Sequence, residues 1–226
     1  VVDIHQCHLQ AEPANEIRNT VKAFALEHQL DFFNPRDQEG FLRSLMIRNT
    51  KGGDFMVLIQ FFRENKVQRE ALMDHLKKHF DITSLLYCIN SKANDSLYDQ
   101  EIICYDGKTY IVEEMEGLQF KINAKSFFQT NSEQAYELYK IARDFAGLKG
   151  DELVYDLYTG TGTIAQFIAK DCKKVVGVES VPEAIEAAQT NAKENGVNNA
   201  FFEVGDMRDV FNQDFINRHG KADVVI

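Results

Sequence analysis

The stretch LVYDLYTGTGT, residues 153–163, decides the fold of this chain. Its first five residues form an apolar run rich in β-formers, which predicts a buried parallel strand. The chain then turns through two glycines and enters a helical pattern at Thr163. Gly160 and Gly162 have no Cβ, so they allow a tight turn and a close approach to a ligand. We expect the peptide N–H groups at the start of the helix to face the same crevice.

A second apolar run, residues 174–178, ends at Glu179, which lies 19 residues after Gly160 by subtraction. In a doubly wound sheet, a carboxylate at the tip of the second strand accepts hydrogen bonds from ribose hydroxyls. The third glycine of the dinucleotide fingerprint is missing, and Asp156 would repel a pyrophosphate but suit a cationic cofactor with an amino group. We therefore predict S-adenosyl-L-methionine (SAM) as the cofactor; the alternative is a purely structural glycine turn.

Strand and helix patterns alternate from residue 153 onward, which predicts a parallel sheet with helices on both faces. The predicted strands are 153–157, 174–178, 201–204 and 222–226, and the predicted helices are 163–170, 182–195 and 208–218. We expect an α/β, doubly wound domain over residues 123–226 whose fourth strand is the last element of the chain. Within this domain, a loop at 126–131 and a helix at 132–145 precede the first strand.

Residues 1–122 predict a separate small α+β domain of αββαβ type. The predicted helices are 13–29 and 66–80, and the predicted strands are 41–48, 55–62 and 83–90. A second hairpin is expected between residues 101–105 and 109–114, across Asp106-Gly107. A last strand follows at 118–122.

Bulk composition excludes several classes of protein. No run of 18 apolar residues predicts a membrane span, and no signal peptide is recognisable, so we expect a cytoplasmic protein. The net charge of −10 argues against chain-wide attraction to nucleic acid. The four cysteines are scattered, and His5, Cys7 and His8 are too close together to form a metal site alone, so none is predicted. The chain does not begin with methionine, so we interpret it as a fragment.

One segment of the chain is basic although the chain as a whole is acidic. Residues 36–69 contain seven basic and four acidic residues, mixed with phenylalanines. Basic residues among aromatics suit an RNA surface, but a solvated hairpin with phenylalanines in the core explains the pattern equally well. The candidate RNA contacts are Arg36, Arg43, Arg48, Lys51 and Arg63.

Three segments together resemble a known family: FFQTN at 127–131, DLYTGTGT at 156–163 and VGVESVP at 176–182. With them, the chain resembles the RNA (uracil-5-)-methyltransferases, class I SAM-dependent enzymes that make 5-methyluridine in ribosomal or transfer RNA. The resemblance covers nearly the whole chain, most clearly residues 41–226. The F-x-Q-x-N loop is its specific part, since generic class I methyltransferases lack it.

The resemblance implies roles for individual residues. The cofactor-binding positions are Gln129, Tyr158, Gly160, Gly162, Thr163, Glu179 and Asp206, and the target base would be met by Phe127 and Gln129. The chain departs from the family at Thr163, where asparagine is usual, and at Thr159, where cysteine is common. Three alternatives stay open: Phe127 as a core residue, Glu179 as a surface acid and Asp206 as a helix N-cap.

The resemblance also implies a covalent route, in which a cysteine thiolate adds to carbon 6 of the uracil. In the family the nucleophile and the base follow the fourth strand, so no catalytic residue is assigned within these 226 residues and we expect the fragment to be inactive. Some members carry an iron–sulfur cluster, to which Cys7 could contribute one ligand. We expect ribosomal rather than transfer RNA as the partner, because the αββαβ region is as large as in the ribosomal members; no protein partner is evident. The rivals are a class I methyltransferase for another base or a protein, and a SAM- or RNA-binding module without catalysis.

Overall fold

The computed structural model describes residues 3–226. Its contacts divide the chain into two compact units. One runs up to Ile111 and includes Asn123–Lys125, and the other consists of Val112–Ile122 and Ser126–Ile226. The division therefore differs from the boundary expected at 122/123, because residues 112–122 pack with the second unit.

The first unit has the predicted αββαβ order, followed by one more strand. Its elements are α1 (Ala14–Glu27), β1 (Leu42–Asn49), β2 (Phe55–Phe61), α2 (Lys66–His79), β3 (Ser84–Ile89) and β4 (Ile103–Gly107). The sheet order is β1-β2-β3-β4. The central pair β2–β3 is parallel, as a helical crossover requires, and the two outer pairs are antiparallel.

The core of the first unit explains why these segments fold as they do. Ile17, Val21 and Phe24 recur at helical spacing on α1 and are buried together with residues of β2 and α2. Phe41 and Phe61 are fully buried in the same cluster. The phenylalanines of the basic segment at these positions are therefore core residues rather than part of an RNA-binding face.

The predicted hairpin across Asp106-Gly107 is wrong. Strand β4 pairs with β3, whereas β5 (Tyr110–Met115) pairs with β6 (Leu118–Asn123). The turn between β5 and β6 is Glu116-Gly117, where both residues have positive φ (48° and 80°), as type I′ turns require. Gly107 instead allows a close backbone approach: a Cβ at this position would lie 2.3 Å from the Thr83 carbonyl oxygen.

The second unit confirms the predicted doubly wound α/β fold with a parallel sheet. Its elements after the β5–β6 hairpin are α3 (Ser132–Ala146), β7 (Leu153–Leu157), α4 (Thr163–Ile168), a 3₁₀ turn (Ala169–Asp171), β8 (Lys174–Glu179), α5 (Pro182–Glu194), β9 (Ala200–Val204), α6 (Met207–Val210), α7 (Gln213–His219) and β10 (Val224–Val225). The strand order is β10-β7-β8-β9, and all three pairs are parallel.

Two clusters of side chains cover the two faces of this sheet. Val154 and Val175 pack with residues of α3 and α4 in one cluster, whereas the neighbouring Tyr155 and Val176 pack with Phe215 of α7 in another. Alternate residues of a strand point to opposite faces, so this division places helices on both sides of the sheet.

The single helix predicted over residues 208–218 is in fact two short helices. Asn212 adopts an extended conformation between them, and its side chain accepts a hydrogen bond from the Phe215 amide at 3.1 Å. An asparagine that caps a new helix in this way ends the preceding one.

Hydrogen bonds with Asn195, the C-cap of α5, and with Arg143 of α3 explain why the β5–β6 hairpin belongs to the second unit. The Asn195 side chain accepts from the Gln119 amide at 2.8 Å and donates to the Gln119 carbonyl at 2.9 Å, as a neighbouring strand would. The turn residue Glu116 accepts two hydrogen bonds from Arg143, at 2.9 and 3.1 Å. Hydrogen bonds from Arg143 and then Lys170 lower the pKa of Glu116 to about 2.

Among residues 3–226, no helix combines the length and the apolar character needed to cross a bilayer.

Candidate cofactor site and substrate loop

The loop after β7 carries three residues in the left-handed region. Gly160 (φ 56°) and Gly162 (φ 73°) adopt this conformation at little cost, but Tyr158 (φ 63°) does so as a non-glycine residue. The Tyr158 side chain is 75% exposed. Strained conformations of this kind cluster at functional sites, so the loop is a candidate binding element.

Asp156 stabilises this loop from inside. It is only 3% exposed, and its Oδ2 accepts hydrogen bonds from the Thr159 hydroxyl at 2.6 Å and the Ala165 amide at 3.0 Å. Burial raises the pKa of Asp156 to about 6. The Ala165 amide, in the first turn of α4, is therefore used by Asp156 and does not face a ligand, contrary to our expectation for the start of this helix.

Gly160 and Gly162 have different structural roles in the loop. A Cβ on Gly162 would lie 2.7 Å from the Phe202 ring and 2.9 Å from the Ala188 Cβ, so tight packing requires glycine there. At Gly160, within the described part of the chain, no atom beyond the immediate neighbours lies within 4 Å of the place a Cβ would take. Gly160 therefore faces open space, where a ligand can approach the backbone.

Glu179 ends β8 beside this loop. Its Oε2 accepts from the Gly160 amide at 3.2 Å, and its Oε1 accepts from the Ser180 and Val181 amides at 2.7 and 3.1 Å. The side chain remains half-buried rather than solvated. The structure thus joins the carboxylate at the strand tip to the glycine loop, as the spacing of the two motifs predicts.

Sequence reasoning missed Gly177, which also shapes this region. A Cβ there would lie 2.8 Å from both Phe202 Cδ1 and Thr159 Oγ1. A glycine in the middle of a predicted strand was the available signal, since it often marks a close approach by a neighbouring group.

Thr163 and Asp206 already have partners within the protein. The Thr163 side chain is buried, with its hydroxyl 3.3 Å from Thr161 Oγ1. Asp206 caps α6 by accepting from the Arg208 amide at 2.9 Å, and it also pairs with the Arg208 guanidinium at 2.8 Å. Side-chain and backbone hydrogen bonds from Arg208 lower the pKa of Asp206 to about 2. The N-cap alternative for Asp206 is confirmed, and its role at an adenine stays a prediction.

The loop at 126–131 is irregular, as predicted, and presents its functional candidates outward. Phe127 is 72% exposed, so the alternative of a core residue is wrong. Gln129 is also exposed. The adjacent Phe128 instead packs against Phe120 of β6, with ring centroids 6.3 Å apart.

The five candidate RNA contacts of the first unit fall into two groups. The Arg43 guanidinium donates to the Asn90 and Lys92 carbonyls at 2.9 and 2.6 Å, and burial lowers the pKa of Arg48. Arg63 is exposed but pairs with Asp31 at 3.1 Å, while Arg36 and Lys51 are exposed. Arg43 and Arg48 are thus partly committed to the fold, and RNA contact stays a prediction for the whole set.

Three of the four cysteines do not resemble activated nucleophiles. Burial raises the pKa of Cys88 and of Cys172 to about 11 and also raises that of Cys104, which is half-buried. A nucleophilic thiol needs the opposite shift. Across residues 3–226, no group of three or more His, Cys, Asp or Glu side chains is arranged to hold a metal ion.

Comparison with known proteins identifies the second unit. Residues 148–226 match a family model described as a methyltransferase domain. A solved structure, the tRNA (uracil-54, C5)-methyltransferase of Pyrococcus abyssi in complex with S-adenosyl-L-homocysteine, matches 93% of this chain and 51% of its own, with a TM-score of 0.77 and 32% identity. Residues 148–226 thus resemble a methyltransferase domain, and their α/β fold with a parallel sheet matches class I methyltransferase structures. The Pyrococcus abyssi structure holds S-adenosyl-L-homocysteine, and the methyltransferase family uses SAM.

The similarity to curated relatives extends over the whole chain. A protein of Porphyromonas gingivalis is 56% identical over 100% of this chain and 49% of its own length, and one of Bacteroides thetaiotaomicron is 51% identical over 100% and 51%. Both are named uncharacterized RNA methyltransferase. The chain spans about half the length of these relatives.

Proposed function

We propose that the protein methylates carbon 5 of a uridine in RNA. The observation that carries the proposal is the F-x-Q-x-N loop, whose Phe127 and Gln129 are exposed in the same unit as the Gly160–Glu179 site. An exposed aromatic ring beside a glutamine amide provides a stacking surface and hydrogen bonds for a flipped base. Similarity to a tRNA (uracil-54, C5)-methyltransferase and to RNA methyltransferases supports the choice of RNA.

The residues around the glycine loop fit the cofactor. The Glu179 carboxylate, held by three backbone amides, is oriented to accept from ribose hydroxyls. Gly160 leaves room for a close approach, and the anionic Asp206 is suited to accept from an adenine amino group. Bound SAM supplies an electrophilic methyl group, and the protein contributes position and electrostatics.

Uracil carbon 5 is a poor nucleophile, and a thiolate that adds to carbon 6 would turn it into an enolate able to accept a methyl group. A base must then remove the carbon-5 proton so that the thiolate can leave. The raised pKa values of Cys88, Cys104 and Cys172 disfavour each of them as that thiolate. We therefore assign the attack to none of these three, and a nucleophile beyond residue 226 stays our prediction.

The test is to delete the gene that encodes this sequence and to measure 5-methyluridine by mass spectrometry, separately in ribosomal and transfer RNA. We expect 5-methyluridine to disappear from one position of ribosomal RNA; loss from transfer RNA alone would keep the reaction and correct the substrate. The parent gene should restore the modification, whereas Phe127→Ala and Gln129→Ala should restore far less of it. Val67→Ala, an exposed apolar residue of the first unit, is the matched control. Unchanged 5-methyluridine in both RNA classes after deletion would refute the proposal.

A further inference from the structure

A carboxylate lies on the buried side of the β5–β6 hairpin. Positions 111, 113 and 115 of β5 are all buried, and the residue at the middle position is Glu113, only 1% exposed. Strand periodicity would place hydrocarbon there. A buried carboxylate is costly unless it accepts hydrogen bonds, so its contacts indicate its role.

Glu113 contacts the residue that directly follows the F-x-Q-x-N loop. The Ser132 hydroxyl donates to Glu113 Oε2 at 2.6 Å. Ser132 is the first residue of α3, and the preceding Asn131 caps that helix by accepting from the Gln134 amide at 3.1 Å. The carboxyl end of the loop is therefore held twice, by Asn131 to the helix and by Ser132 to the hairpin.

The hairpin also holds the loop nearer its start. Ser126 is buried, and Phe128 packs against Phe120 of β6. Phe127, which lies between Ser126 and Phe128, and Gln129, which follows Phe128, remain exposed. A loop whose ends are fixed while alternate side chains project outward is suited to present those side chains in one orientation.

We propose that Glu113 is a positioning residue, which orients the loop at 126–131 for the target base through the Ser132 hydroxyl. The distance of 2.6 Å from the Ser132 hydroxyl to Glu113 Oε2 is at the short end of the range for O–H···O hydrogen bonds, which suits an anchor. The part of the proposal that concerns the base rests on the proposed function; the anchoring itself does not. A reactive group misplaced by about 1 Å can lose about 10²-fold in rate, so loosening this anchor should affect methyl transfer more than cofactor binding.

The anchor can be measured without any enzymatic activity. The chain contains no tryptophan, so Phe127→Trp introduces a single fluorescent probe in the loop. Time-resolved anisotropy of this variant should show a larger nanosecond component when Ser132→Ala or Glu113→Leu is added. Glu113→Gln keeps an oxygen acceptor and the side-chain shape, so it should retain most of the parent's order. Thr190→Ala removes a hydroxyl that donates to Glu186 O within its own helix, and is the matched control.

The same variants are then tested without the tryptophan. Ser132→Ala and Glu113→Leu should lower the rate of 5-methyluridine formation in the complemented deletion strain by about 10²-fold, with a much smaller change in the affinity for S-adenosyl-L-homocysteine and with Glu113→Gln near the parent. An anisotropy decay in Ser132→Ala identical to the parent's would overturn the anchor. A looser loop with normal 5-methyluridine would overturn the role toward the base. If the parent restores no 5-methyluridine while the loop still loosens, the anchor stands and it is the proposed function that fails.

Discussion

Replacing each loop glycine by alanine should separate packing from ligand approach. Both glycines have positive φ, so either substitution costs about 1–2 kcal/mol for a left-handed non-glycine residue. At Gly162 the new methyl group would also lie 2.7 Å from the Phe202 ring, and overpacking of this kind adds about 1–3 kcal/mol. At Gly160 the methyl group would enter open space. We therefore expect Gly162→Ala to lose about 2–5 kcal/mol of unfolding free energy and Gly160→Ala about 1–2 kcal/mol.

The effects on cofactor binding should run in the opposite order. Urea denaturation at 25 °C gives the unfolding free energies, and calorimetry with S-adenosyl-L-homocysteine gives the affinities. Gly160→Ala should weaken binding by about tenfold or more, equal to about 1.4 kcal/mol, because its methyl group occupies the space where a ligand meets the backbone. Gly162→Ala, once folded, should bind more nearly like the parent. Unchanged affinity in Gly160→Ala, or equal stability of the two variants, would refute this assignment of the two glycines.

Three further predictions concern carboxylates. Glu179→Ala should weaken S-adenosyl-L-homocysteine binding by about 10- to 100-fold, since hydrogen bonds to a charged group contribute about 1.5–3 kcal/mol, and an unchanged dissociation constant by calorimetry would remove Glu179 from the site. Burial raises the pKa of Asp156 from 3.8 to about 6, so the folded state binds a proton more tightly than the unfolded state. The stabilisation from this group is therefore present below about pH 4 and is lost as the pH rises to about 6. Asp156→Asn should remove this pH dependence from the unfolding free energies measured by urea denaturation, and an identical pH profile would contradict the prediction. The pH dependence expected for Glu116 is the opposite. Its pKa is lowered from 4.5 to about 2, so its stabilisation is present above about pH 4.5 and is lost on acidification toward pH 2. Glu116→Gln should flatten the unfolding free energy between these pH values, and a slope that persists there would contradict the stabilising role of the Arg143 pair.

The geometry of the candidate site was predictable where local structure dominates. The two glycines and Glu179 could be placed from sequence because strand periodicity, positive φ and chain spacing are properties of neighbouring residues. The internal role of Asp156 could not be predicted, because its residue type suits a cofactor ammonium as well as an internal acceptor. Only the positions of the Thr159 hydroxyl and the Ala165 amide distinguish these two uses.

The amino-acid sequence by itself determined the alternation of strands and helices after residue 150, and with it the parallel α/β sheet, since those patterns are written in periodicities of two and 3.6 residues. Tertiary structure alone decided that the strand at 110–115 pairs with the one after it, and that the resulting hairpin packs with the second unit through Asn195 and Arg143. It also decided that Glu113 lies beneath the F-x-Q-x-N loop's end. Such pairings depend on which groups from distant parts of the chain satisfy each other's hydrogen bonds and exclude water, and no local pattern encodes that choice.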